Sequence, residues 1–100
     1  MTNGTRSDLF DELSARIAAD VVAIDSRLSP VEVDVFFADE LLFASATVRD
    51  DAGGIQWRSS HAGTPDSHSV SDLRSAGDDL VDRIIADARI ASIVEAGSND

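Results

Sequence analysis

The segment 59–72, SSHAGTPDSHSVSD, carries both histidines of the chain, His61 and His68, together with Asp66, Asp72 and five serines. Neutral imidazole and carboxylate suit zinc or manganese, so His61, Asp66 and His68, with Asp72 at the head of the next element, are the donors a small metal hydrolase would use. A nucleophilic site would instead draw on Ser59 or Ser60, His61 or His68, and Asp66. Neither pattern is specific. There is no His-x-x-x-His on a helix, and no Gly-x-Ser-x-Gly elbow raises a serine above its neighbours. Gly63-Thr64-Pro65 is ordinary loop chemistry, and Ser69-x-x-Asp72 has the form of a capping box. The plainer reading is a junction in which a strand ends, the chain turns and a helix begins.

Other groups that could do chemistry fare no better. Asp50-Asp51 and Asp78-Asp79 are neighbours in sequence, and adjacent residues on a helix point apart. The run Asp50-Asp51-Ala52-Gly53-Gly54 lacks the alternating oxygen ligands and distal Glu of a calcium loop. Gly53-Gly54 joins strand to strand, not strand to helix, so it is no phosphate cradle. Asp79/Arg83 and Arg83/Asp87 stand at i,i+4 spacing and read as surface pairs. No catalytic residue, metal ligand or cofactor is implied, and no motif is specific to a family.

Composition narrows the partners. The 100 residues contain no cysteine, and the formal net charge is −11. Aspartate outnumbers glutamate fifteen to four, and all eight basic residues are arginine. Missing cysteine removes disulfides, thiolate catalysis and the usual structural zinc sites. Such acidity repels phosphate backbones and disfavours direct nucleic-acid binding. An Asp-rich, Lys-free surface is what a cytoplasm full of salt selects, although an acidic face can also dock on a basic partner. The apolar runs are far too short to span a membrane, and the start MTNGTRSD is no signal peptide, so a soluble cytoplasmic protein is expected.

The elements that would position these residues follow from periodicity. From Ser7 to about Ser26, Leu9, Phe10, Leu13, Ile17, Val21 and Ile24 recur at three-to-four spacing, with Thr5-x-x-Asp8 as a start signal and Ser29-Pro30 as the stop. From Val31 the period becomes two. If Asp39-Glu40 is the whole turn, Val31, Val33, Val35 and Phe37 oppose Val48, Ala46, Ala44 and Leu42, so apolar meets apolar throughout. Asp-Glu lacks the glycine or asparagine such turns prefer. A third strand over Ile55–His61 places Trp57, Ser59 and His61 opposite Val48, Ala46 and Ala44. The segment from Val70 carries Leu73, Gly77, Leu80, Val81, Ile84, Ala88 and Ala91 on one helical stripe to about Gly97. The expected fold is a single α+β domain over 1–100, with frayed ends at about 1–5 and 97–100. Helix, three-stranded antiparallel meander and long C-terminal helix (α-β-β-β-α) form two layers. Small residues, Ala44, Ala46, Ser59 and Gly77, would let the helices approach the sheet.

Two surfaces then stand out. Phe36 opposes Phe43 on the outer sheet face beside Ala38 and Leu41, while the rest of that face is polar: Glu32, Asp34, Ser45, Thr47, Arg49, Gln56, Arg58 and Ser60. Ile90 and Ile93 fall away from the Leu73/Leu80/Ile84 stripe. Either the long helix breaks near Asp87, which lies inside the stripe, or another chain grips that end. The expectation is a non-enzymatic protein-interaction module, self-associating through Phe36, Leu41, Phe43, Ile90 and Ile93 as a homo-oligomer, or binding another protein. The alternatives are an acidic inhibitor or immunity-type protein, using Asp8, Asp11, Glu12, Asp78, Asp79 and Asp82 to mask a basic site of a nucleic-acid enzyme, and a metal hydrolase centred on His61 and His68.

Overall fold

The computed structural model describes residues 6–97, and Thr5 of the expected capping pair lies outside them, as do both expected frayed ends except Gly97. The order is α1 (Arg6–Ile24), β1 (Val31–Ala38), β2 (Leu41–Arg49), β3 (Ile55–Gly63) and α2 (Val70–Gly97). The strands form one antiparallel sheet in the order β1-β2-β3. This is the expected α-β-β-β-α arrangement. α1 lies over β1, α2 over β2 and β3.

Alternation fixes the register of the first hairpin. Val31 pairs with Val48, Val33 with Ala46, Val35 with Ala44 and Phe37 with Leu42. To hold that register, Asp39 and Glu40 both take left-handed backbone, at φ of 52° and 66°. A one-residue slip would turn every valine of β1 outward, which outweighs a strained turn. The second hairpin turns on Asp50, whose carboxylate Oδ1 accepts the Ala52 and Gly54 N–H groups at 3.0 and 2.8 Å. Gly53 supplies the positive φ of 87° there. A bulge between Val48 and Arg49 places Ile55, and not Gln56, opposite Arg49. β3 also runs two residues past His61, to Gly63.

The core lies between the layers. Leu9, Leu13, Ile17 and Val21 of α1 meet Leu42, Ala44, Ala46 and Val48 of β2 and Leu73, Leu80, Val81, Ile84 and Ala88 of α2, all buried. Leu28 joins them from the connection after α1, a position with no periodic neighbours to announce it. The two helices run parallel. Arg74 reaches Glu12, and one turn further along both helices Arg16 reaches Asp78 at 2.6 Å. Gly77 belongs to this contact and does not serve helix-to-sheet approach: a Cβ on it would lie 2.5 Å from Leu13 Cδ1 of α1. α1 stops where Asp25 folds its carboxylate onto the Arg27 N–H and guanidinium. Those bonds, foremost the guanidinium's, pull the Asp25 carboxyl down to about 2.

Candidate functional site

The histidine segment comes apart in three dimensions. His61 projects from the inner face of β3, and its Nε2 lies 2.7 Å from Asp87 Oδ2 on α2. Ser59, two residues earlier and buried, donates its hydroxyl to that same oxygen at 2.6 Å. His68 lies after β3, with Nε2 2.7 Å from Glu40 Oε2 in the β1–β2 turn and its ring edge-on to Phe37. Asp66 is exposed. Among the described residues no three histidines, aspartates or glutamates are placed to hold a metal ion.

Nor is the Ser59, Asp87 and His61 cluster a nucleophilic triad. In a triad the imidazole stands between hydroxyl and carboxylate so that it can take the proton. Here the carboxylate stands between the other two. Asp87 is an acceptor shared by two β3 side chains, and it pins α2 to the edge of the sheet. The Ser59 hydroxyl, then His61, hold its carboxyl below the ordinary aspartate range against a smaller opposing effect of burial. This also resolves an acid inside an apolar stripe. α2 runs unbroken to Gly97, and Asp87 bonds to β3 instead of pairing with Arg83, which binds Asp79.

Ser69 caps α2 as expected, accepting the Asp72 N–H at 3.1 Å. The reciprocal half of the box is replaced: the Ser67 hydroxyl donates to Asp72 Oδ2 and accepts the Ser69 N–H. Thus Ser67, His68 and Ser69 serve the junction.

The surface candidates are better developed. Phe36 and Phe43 stack with centroids 4.9 Å apart and planes 16° from parallel. Ala62 continues the row opposite Phe43, and Leu41 pairs with Ala38 beside it. Both helices occupy the other face, so this corner is open, with Phe36 49% exposed. Ile90 and Ile93 are 60% and 71% exposed. They lie in the helix layer, so the two patches are on opposite layers and do not form one continuous surface. Ile55, at the start of β3, is a third exposed apolar group.

Three of the six acids that could mask a basic site are held in ion pairs. Glu12 binds Arg74, Asp78 binds Arg16 and Asp79 binds Arg83. A shallow groove of about 310 Å³ between the helices is lined by Asp20, Ala23, Ile24, Ile85 and Arg89.

Comparison with known proteins adds one partial likeness. No family model matches the chain and no solved structure resembles it significantly. A porphobilinogen deaminase of Leifsonia xyli subsp. xyli (strain CTCB07) is 39% identical over 59 residues, which covers 59% of this chain and 18% of the deaminase. The chain therefore matches less than a fifth of that protein's length.

Proposed function

We propose that this chain is a small acidic protein-interaction module that self-associates and performs no chemistry of its own. The observation that carries the reading is the set of large apolar side chains held in solvent, Phe36, Ile55, Ile90 and Ile93, on a fold whose core is built from other side chains. Leu41 and Phe43 widen the Phe36 corner. Exposed apolar side chains of this size are what contact between chains would cover. Among the described residues no helix is long and apolar enough to cross a membrane. Together with an Asp-rich, Lys-free surface this favours work in a cytoplasm of high ionic strength.

The test is sedimentation of the whole chain at micromolar concentration in low and high salt. A concentration-dependent dimer or higher oligomer supports the reading; a monomer throughout refutes it.

A second reading is favoured by the 59-residue likeness. In it the chain contributes a module, and no chemistry, to a porphobilinogen deaminase. Co-sedimentation with such an enzyme, with no porphobilinogen consumed by the chain alone, supports it; failure to co-sediment removes it.

A further inference from the structure

We propose that the free edge of β3 is the seam of a two-fold dimer. It pairs antiparallel with β3 of a second copy while the Ile90 flank of α2 closes over the joint. This rests on the self-association reading and specifies where that association occurs.

The first support is placement. β1 and β3 are both edge strands, and an edge offers unpaired N–H and C=O groups to any strand that reaches it. β1 carries Asp34 and the Arg49-paired Glu32 on its outer face, and acidic charge of this kind guards an edge. β3, IQWRSSHAG, has no acidic residue. Indeed residues 52–65 are the longest acid-free stretch in a chain holding 19 acidic residues. Two copies that each carry −11 can approach with least repulsion there. Arg58, at the middle of β3, makes no ion pair among the described residues.

The second support is the helix above. A Cβ on Gly63 would lie 3.6 Å from Leu80, while Asp87 bonds Ser59 and His61, so α2 descends antiparallel to β3. Three residues beyond Asp87, Ile90 comes one turn nearer the Ile55 end of the strand, on the flank turned away from α1. Ile55 and Ile90 therefore border the same free edge, both more than half exposed. The acids on that flank are occupied, Asp79 by Arg83 and Asp87 by β3.

The third support is spacing. α2 sits over both β2 and β3. Across a β3–β3 seam two such helices would lie about two strand spacings apart, roughly 10 Å, which is the distance at which helices pack. Sheet and helix layers would close together.

The experiment uses the full chain and three exposed-site variants, Ile90→Asp, Arg58→Glu and Phe36→Asp, with circular dichroism to confirm folding. Sedimentation gives the dimer constant. Because the chain lacks cysteine, Ser60→Cys or Glu32→Cys carries a single spin label whose dipolar broadening reports a nearby copy. The seam predicts at least about ten-fold weaker dimers for Ile90→Asp and Arg58→Glu, since each sets an acid in a desolvated joint. Phe36→Asp, on the outer sheet face away from the joint, should leave the dimer constant unchanged and weaken only association beyond the dimer, and broadening should appear at position 60 and not at 32. A dimer lost in Phe36→Asp but indifferent to the other two overturns the β3 seam and leaves self-association standing. Open oligomers with broadening only between labels at 60 and 32 overturn it in favour of head-to-tail β3–β1 pairing. A monomer under all conditions overturns both proposals.

Discussion

Replacing Asp87 with alanine should cost the fold about 2 kcal/mol, and the geometry shows where the loss arises. Ser59 is 4% exposed and donates to Asp87 Oδ2 at 2.6 Å. Without that acceptor its hydroxyl is stranded, at a cost of about 1–3 kcal/mol. The bond to His61 is partly solvated, so its loss adds no more than about 1 kcal/mol. Alanine returns a few tenths of a kcal/mol, roughly, through helix propensity. Urea unfolding followed by circular dichroism measures the sum, and the Ser59→Ala/Asp87→Ala pair separates its parts. With the hydroxyl gone there is nothing to strand, so the double variant should be more stable than the sum of the singles implies, by about 1 kcal/mol. Because the folded-state carboxyl lies below its ordinary range, its contribution is complete above about pH 4 and fades as pH falls through the lowered value. A loss under about 0.5 kcal/mol for Asp87→Ala, the level of an ordinary surface change, would refute the reasoning. So would an equal loss for Arg83→Ala, which would restore the simple i,i+4 pair.

Gly77→Ala should destabilise by about 1–3 kcal/mol, because its Cβ would press on Leu13 across the helix contact and overpacking outweighs the propensity gain; a stabilised variant in thermal melts would show that the helices can part. The double change Asp39→Asn with Glu40→Gly should raise stability by about 1–2 kcal/mol by relieving two left-handed residues, less the exposed Glu40–His68 pair, and a lower unfolding midpoint would contradict this. Asp25→Asn should flatten the acid limb of the stability curve: a carboxyl held at about 2 against 3.8 contributes fully above about pH 4 and loses that contribution as pH falls toward 2. An unchanged limb in urea titrations across that window would disprove it. Zinc, manganese or nickel should leave the melting temperature unchanged, since His61 and His68 are committed to Asp87 and Glu40; a rise with metal concentration would argue for a site.

Much of the fold was legible because two periods do not resemble each other. Three-to-four spacing in α1 and α2 and alternation in β1 and β2 each specify a buried face, and apolar matching across Asp39-Glu40 selected the register over the turn's poor chemistry. What escaped detection depends on single side chains bonding at a distance. Asp87 stood in an apolar stripe with Arg83 four residues away, and nothing local says that Ser59 and His61, 28 and 26 positions earlier, would claim it. Leu28 and Asp25 lie in a non-periodic connection. The pairing of Ile55 with Arg49 could not be read from the sequence, because a bulge is invisible to a count of loop residues. The Phe36 and Phe43 contact could be read from the register alone, whereas the separation of that corner from Ile90 and Ile93 needed the layer order.

The most direct measurement of the central claim is the sedimentation mass of the chain, 10.6 kDa as a monomer, across a micromolar concentration series at rising salt. Two copies of net charge −11 repel, and the Debye length shrinks from about 10 Å at 0.1 M to about 3 Å at 1 M. An apolar, acid-free joint between copies predicts a dimer that tightens as salt rises. A mass that stays at the monomer value at every concentration and salt would contradict the account.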